Sequence, residues 1–136
     1  TLSLPQPAGI VAISPWMDLL MRGGSMESNA QEDPILSREL LEEYACHYAG
    51  TQDRSNWEIS PIYGDFSGLP PSLLFAGGSE VLLSEVTAAH GRLLEAGCVS
   101  RLRVAAEMWH VYPLYPIFEA ARDLALVQMF VAEKLA

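Results

Sequence analysis

The sequence has little positive charge and no long hydrophobic run. Among its 136 residues, 17 are acidic and eight are basic, only one of them a lysine, and the net charge is −9. Nucleic acids and anionic membranes bind to clusters of basic residues, so this composition argues against both as partners. No apolar stretch approaches the roughly 20 residues of a membrane-spanning helix, and no signal-peptide pattern is present. We therefore expect a globular protein without a membrane span.

Cysteine is also scarce. Cys46 and Cys98 lie far apart, in no C-x-x-C pattern, and no histidine stands at metal-binding spacing from either of them. Two such isolated cysteines are typical of free thiols in a reducing compartment. The sequence therefore predicts a cytoplasmic location and no metal site. Nothing in it indicates an organic cofactor.

Three short segments are predicted to be β-strands. The continuous apolar run Gly9–Ser14 is typical of a strand that is buried on both faces. Ser72–Ala76 follows two prolines and is predicted as a second strand. In Val99–Ala105 polar and apolar residues alternate, and Arg101 and Arg103 are expected on a face exposed to solvent. Such a half-polar pattern suits a strand at the edge of a sheet.

Helical patterns separate and follow these strands. A helix is predicted over Ser84–Ala96, ended by Gly97, and a last helix begins at Pro116. Between the first two strands, residues 23–53 form a segment in which Asp33-Pro34 opens a helical pattern. Strands that alternate with helices predict an α/β fold, with parallel strands, flanking helices and one helical insertion.

Two side chains with acid–base chemistry follow successive strands. Glu80 lies just beyond the second predicted strand and His110 just beyond the third. The carboxyl ends of parallel strands meet at one edge of a sheet, so these side chains should lie close together. A carboxylate that orients a histidine is the acid–base half of a site for nucleophilic catalysis. We expect a carboxylate oxygen of Glu80 within about 2.6–3.2 Å of a ring nitrogen of His110.

The nucleophile that this pair would serve is missing from the sequence. Catalytic serines of this kind lie in a G-x-S-x-G turn between a strand and a helix, and no window of the chain fits that pattern. The nearest candidate is Gly64-Asp65-Phe66-Ser67-Gly68, where the serine is one place late and no helical pattern follows. The apolar strand Gly9–Ser14 would also need neighbours on both sides. We therefore expect a further part of the sheet to lie upstream.

Taken together, the motifs resemble the C-terminal part of the hormone-sensitive-lipase-like family of α/β-hydrolase esterases. The matching pieces are Ile13-Ser14-Pro15-Trp16-Met17-Asp18, Ser60-Pro61, Gly68-Leu69-Pro70-Pro71, Gly78-Ser79-Glu80-Val81-Leu82-Leu83, Glu95-Ala96-Gly97 and Met108-Trp109-His110-Val111. They follow the family's order and span nearly the whole chain. The chain departs from the family pattern at Ser84 and Glu85, where relatives often carry two aspartates. The departure concerns hydrogen bonding around the acid, not the choice of Glu80 as the acid.

The resemblance implies that residues 1–136 are the C-terminal part of one α/β-hydrolase domain, whose N-terminal half, with the nucleophile, is absent. Residues 23–53 would form part of a cap over the active site. Glu80 and His110 would be the acid and base of a Ser-His-Glu triad that hydrolyses carboxylic esters, as in a serine carboxylesterase. The isolated chain would be inactive. It would pair with the missing half or, through strand 99–105, with a second copy.

The apolar residues that flank this pair are predicted to line a pocket for a small-molecule ester, since such pockets are mostly hydrophobic. They are Leu82, Trp109, Val111 and Tyr112. Two alternatives stay open. A peptidase or amidase of the same fold would keep the roles of the acid and the base, whereas a non-catalytic relative would only bind its ligand. A serine in the upstream elbow would identify an enzyme, and its replacement would identify a binding protein.

Overall fold

The computed structural model describes residues 5–136, in which three strands form one parallel sheet of order β1-β2-β3. The elements in chain order are β1 (Ile10–Ile13), α1 (Ser25–Ser28), α2 (Arg38–Ala49), a 3-10 turn (Pro61–Tyr63), β2 (Ser72–Gly77), α3 (Leu83–Glu95), β3 (Ser100–Ala105), a second 3-10 turn (Tyr112–Leu114) and α4 (Phe118–Leu135). The predicted α/β class, with parallel strands and flanking helices, is confirmed. None of the helices in this described part is long and apolar enough to cross a membrane.

Strand β2 is the centre of the sheet, and every one of its residues is buried. Its side chains alternate between two faces, as the pleat of a strand requires. Phe75, with no exposed surface, packs with Phe130 of α4 on one face. Leu74 packs with Val86 and Leu93 of α3 on the other. The two long helices therefore cover opposite faces of the sheet, and both loops that leave the carboxyl ends of β2 and β3 emerge at one rim.

Strand β1 is only half-buried, which corrects the prediction of a strand buried on both faces. The reason is its position, because within residues 5–136 β1 pairs with β2 alone and lies at an edge. The neighbour that the sequence predicts on the far side of β1 is not found among residues 5–136. Strand β3 lies at the opposite edge of the described sheet, as its half-polar pattern predicted.

The sequence predicts that the main helix between β1 and β2 begins at Asp33-Pro34. The structure corrects this start. Helix α2 begins at Arg38, where the Ser37 side chain accepts a hydrogen bond from the Leu40 amide and caps the helix. Asp33 has another task. One carboxylate oxygen accepts hydrogen bonds from two amides of its own turn, and the other accepts from Val81 at 2.9 Å. The carboxylate therefore ties this segment to the turn after β2.

The uncovered edge of β1 gives a prediction about association. The Ile10 and Ser14 amides donate to carbonyls on the β2 side, so the amides of Val11 and Ile13, between them, point to the open edge. An open strand edge recruits other strands. We expect the chain to self-associate in solution, and we expect the Val11 and Ile13 amides to exchange quickly in any monomer that remains. Light scattering and amide hydrogen exchange measure both, with the Ile10 amide as the internal control.

One result would contradict the expected association through the open edge of β1. A monodisperse monomer in which the Val11 and Ile13 amides are protected as well as the Ile10 amide would mean that β1 needs no further neighbour.

Candidate active site

Glu80 lies in the turn between β2 and α3 and has no exposed surface. A carboxylate removed from water is tolerated only when its oxygens have hydrogen-bond partners. Here Oε1 accepts from the Gly77 amide at 3.1 Å, and Oε2 lies 3.0 Å from Nδ1 of His110. Both oxygens are therefore satisfied inside the protein, one by the last residue of β2 and the other by the loop that follows β3.

The predicted hydrogen bond between Glu80 and His110 is confirmed, because the 3.0 Å separation falls within the expected range. The side chain of His110 is 20% exposed and that of Glu80 is 0% exposed. The pair can thus be reached only from the imidazole side. With a proton on Nδ1 donated to Glu80, Nε2 is free to accept a proton from another group. Such a pair can act as an oriented general base.

His90, another histidine of the chain, lies elsewhere. It belongs to α3, and its Nδ1 is 2.8 Å from the Ser100 hydroxyl at the start of β3. That placement is structural, and His90 serves below as a control residue. Within residues 5–136 no group of three or more histidine, cysteine or acidic side chains is arranged to hold a metal ion.

The backbone at Gly77 fixes the distance between the two loops. A Cβ built on Gly77 would collide with the carbonyl oxygen of Met108 and would lie 2.6 Å from that of Trp109. The loop that leads to His110 therefore passes directly over Gly77. Amide-to-carbonyl hydrogen bonds join the loops alongside, from Gly78 to Ala105 at 2.7 Å and from Ser79 to Met108 at 2.9 Å. Only glycine permits this approach.

Two side chains of the helical segment hold the turn that carries Glu80. The side-chain amide of Asn29 donates to the carbonyls of Gly78 and Glu80, at 3.0 Å each. Asp33 accepts from the Val81 amide, as described above. Sequence reasoning missed both residues, because nothing in a local pattern indicates contacts that cross about 50 positions of chain.

The residue after His110 has an uncommon backbone conformation. Val111 is left-handed, with φ 52° and ψ 30°, a region that β-branched residues rarely adopt. Its amide donates to the Ser14 hydroxyl at 3.0 Å. Ser14 directly follows β1 and is also left-handed, with φ 47°. The family-like serine at the end of β1 thus anchors the loop of the predicted base, a role the sequence did not reveal.

Two of the four predicted pocket residues are not at a surface. Leu82 is 1% exposed and packs in a cluster with Met26 and Leu41, under the helical segment. Tyr112 has no exposed surface, and its hydroxyl donates to Asp123 at 2.7 Å. Their assignment to a pocket is wrong, because apolar residues near a site can equally belong to the interior. The pattern of alternating apolar residues does not separate the two cases.

The other two pocket candidates, Trp109 and Val111, are half-buried on either side of His110. The Trp109 ring packs edge-on against Tyr115, with ring centroids 5.5 Å apart. Its indole nitrogen is buried and finds no hydrogen-bond partner among residues 5–136. Trp109 and Val111 therefore remain candidates for the surface that borders the base.

The positions where the chain departs from the family pattern make specific contacts. Ser84 and Ser25 exchange two hydrogen bonds between amide and hydroxyl, each 2.8 Å long. Glu85 is buried, and its Oε2 accepts hydrogen bonds from the amides of Met17 and Asp18. Burial raises the pKa of Glu85 to about 7, the two amides oppose that rise, and the nearby carboxylates of Asp18 and Glu80 add to it. These contacts hold the loop after β1 to α3.

The comparison with known proteins agrees with this geometry. The sequence profile of the α/β-hydrolase fold matches residues 2–114. The chain belongs to the α/β-hydrolase family. It is 34% identical over 119 residues to an acetyl-hydrolase of Streptomyces hygroscopicus. The matched region covers 87% of this chain and 40% of the acetyl-hydrolase. It is 29% identical over 128 residues to an esterase of Acinetobacter venetianus, covering 91% of this chain and 42% of the relative.

Solved structures narrow the family further. An esterase from the bacterial hormone-sensitive lipase family superposes with a TM-score of 0.96 at 32% identity, over 99% of this chain and 46% of that one. EstE7, a homologue of hormone-sensitive lipase from a metagenome library, superposes with a TM-score of 0.95 at 33% identity. The match covers 98% of this chain and 47% of EstE7. The resemblance to the hormone-sensitive lipase family is confirmed. The α/β-hydrolase chain spans less than half the length of the relatives it matches.

The contact at Gly77 predicts that this α/β-hydrolase cannot accept a side chain there. Gly77→Ala should destabilise the chain by roughly 1–3 kcal/mol, because overpacking must push the His110 loop away from the sheet. Urea unfolding measures the change. Gly91→Ala is the matched control, since Gly91 lies in α3 with nothing near its added Cβ, and helix propensity should stabilise that variant by about 0.5–1 kcal/mol. Equal effects of the two substitutions would contradict the close approach.

The buried carboxyl of Glu85 predicts a pH dependence of stability. Its pKa of about 7 in the folded chain lies above the ordinary 4.5, so the folded state holds this proton more tightly than the unfolded state does. The resulting stabilisation is fully present below pH 4.5 and is lost as the pH rises through 7. It amounts to at most about 3 kcal/mol.

Urea unfolding between pH 4.5 and 8, at one chain concentration, tests this expectation. Glu85→Gln should flatten the decline in the free energy of unfolding. Glu95→Gln, at the exposed end of the same helix, should keep the wild-type decline. A Glu85→Gln variant with the wild-type slope would show that another group titrates.

Proposed function

We propose that this chain supplies the acid and the base of a Ser-His-Glu triad in a carboxylic ester hydrolase, and that a segment outside the chain supplies the serine. The observation that carries the proposal is the fully buried carboxylate of Glu80, hydrogen-bonded at 3.0 Å to Nδ1 of His110 at the rim of an α/β-hydrolase sheet. The names of the relatives, an acetyl-hydrolase and an esterase, support the reaction class.

In the proposed mechanism His110 moves protons at Nε2. It takes the proton from the serine hydroxyl as the serine oxygen attacks the ester carbonyl, and it gives that proton to the departing alcohol. Water then attacks the acyl-enzyme as His110 takes one of its protons. His110 returns that proton to the serine oxygen as the acyl C–O bond breaks and the carboxylic acid leaves. Glu80 keeps the proton on Nδ1 and stabilises the imidazolium that forms at each step. Because Glu80 is shielded from water, this stabilisation is stronger than it would be in solvent.

The substrate we propose is a small-molecule ester of short to medium acyl chain. Trp109 and Val111, half-buried on either side of His110, would border the acyl or alcohol group. Residues 23–53 would form part of a cap, a proposal supported by the hydrogen bonds from Asn29 and Asp33 to the turn that carries Glu80. The cytoplasmic location and a homodimer through strand 99–105 stay predictions.

The proposal predicts a difference between the chain alone and the chain with a nucleophile. Alone, it should hydrolyse p-nitrophenyl acetate no faster than an exposed histidine does, since lost oxyanion donors cost roughly 10²–10³ in rate and a lost nucleophile more. Joined to the part of the Streptomyces acetyl-hydrolase that this chain does not cover, it should turn over the ester. Glu80→Gln should lower kcat by roughly 10⁴, and His110→Ala should lower it by roughly 10⁶.

His90→Ala is the matched control, because it removes the histidine that bonds Ser100 and should leave kcat near the wild-type value. Turnover by the chain alone that His110→Ala abolishes would place the nucleophile within these residues. The coding sequence upstream gives an independent test. A serine in a G-x-S-x-G elbow is expected there, whereas a different residue at that position would favour a binding protein.

A further inference from the structure

We propose that Asp123 is a positioning residue for His110, acting through Tyr112 to hold the loop that carries the base. The inference rests on the proposed function of His110 as that base. Asp123 lies in α4, 13 positions beyond His110. It contacts neither the imidazole nor Glu80 in the described contacts, so its role would be indirect.

Three elements converge on the Asp123 carboxylate. It is 1% exposed, and Oδ2 accepts a hydrogen bond of 2.7 Å from the Tyr112 hydroxyl. Both oxygens accept from Nε of Arg103 in β3, at 3.1 and 3.0 Å. Oδ1 also accepts from Nε of Arg122 at 3.1 Å. This arrangement corrects the expectation that Arg103 would lie on a solvent-facing side, because α4 covers that face of the strand.

The carboxylate is held in its ionised form. Burial alone would raise the pKa of Asp123, but hydrogen bonds from Tyr112, Arg122 and Arg103 outweigh it and keep that pKa below its ordinary value. Burial and the same carboxylate raise the pKa of the Tyr112 hydroxyl, which therefore stays a donor. The buried carboxylate is thus satisfied by two guanidinium partners and a phenol, in charge-assisted hydrogen bonds.

The conformation of Val111 explains why this anchor matters to His110. A left-handed β-branched residue persists only where its surroundings hold it. Its amide is held by Ser14 on one side, and the next residue, Tyr112, is held by Asp123 on the other. If Tyr112 is released, Val111 can relax to a negative φ. That change would turn the adjacent His110 away from Glu80.

A second ion pair between β3 and α4, Arg101 with Glu133, has no described contact with Tyr112 and serves as a control. Arg101 lies two positions before Arg103 on the same face of β3, and it bonds Glu133 of α4 at 3.0 Å. Both side chains of that pair are about half exposed, and Glu133 makes no described contact with the loop of His110. Glu133→Gln therefore removes a β3–α4 ion pair without touching the anchor.

The Nδ1 proton of His110 gives a direct readout. A ring proton shared with a buried carboxylate resonates far downfield in the proton NMR spectrum, and Glu80→Gln should abolish that signal and so assign it. Tyr112→Phe removes one hydroxyl, and Asp123→Asn removes one charge at almost equal volume. Each should speed solvent exchange of the proton by roughly fivefold to a hundredfold, as expected for loss of a buried hydrogen bond. Glu133→Gln should leave the exchange rate unchanged.

The outcomes separate the two proposals. A wild-type spectrum without a signal that depends on Glu80 would overturn the acid–base pair itself. A signal that exchanges at the wild-type rate in Tyr112→Phe would overturn the positioning role alone. Asp123→Asn removes the charge that pairs two guanidinium groups, and circular dichroism detects whether that variant folds. Where it does not fold, Tyr112→Phe decides. In the joined enzyme, positioning predicts a lower kcat at nearly constant KM, and a raised KM at constant kcat would contradict it.

Discussion

The passage of one loop directly over Gly77 is the constraint on which the rest of this structure depends. Strands β2 and β3 bring two loops to the same rim, but parallel strands alone leave those loops free to diverge. The missing side chain at Gly77 lets the carbonyls of Met108 and Trp109 approach the sheet. Paired amides and carbonyls then lock the loops together. The 3.0 Å contact between Glu80 and His110 lies between the two loops that this backbone geometry holds together.

The site also concentrates negative charge in a place with little water. Glu80, Glu85 and Asp18 are all buried within a short distance along the rim, and the chain balances them with amides and hydroxyls more than with cations. Glu80 receives the Gly77 amide and the His110 ring, whereas Glu85 receives two backbone amides. Glu85 raises its pKa to about 7 because burial outweighs those donors. The two carboxylates therefore differ in their partners. Glu80 bonds an imidazole and one backbone amide, whereas Glu85 bonds backbone amides alone.

Local patterns were enough to predict the strands, the long helices and the pair Glu80 and His110. Each of these depends on residues that are adjacent in the chain or on a rule about where strands end. The wrong assignments share another property. Leu82 and Tyr112 are apolar neighbours of the site whose direction depends on distant packing partners. Asp123 is likewise invisible in the sequence, because only the fold shows that a helical acid meets an arginine of β3.

Hydrogen bonds connect the helical segment, residues 23–53, to the turn that carries Glu80. Asn29 and Asp33 bond directly to the backbone of the turn that holds Glu80. Replacement of residues 23–53 by another sequence would therefore also change how firmly Glu80 is held. Grafts that keep these two side chains should preserve the position of Glu80, and grafts that lose them should loosen the turn that carries it.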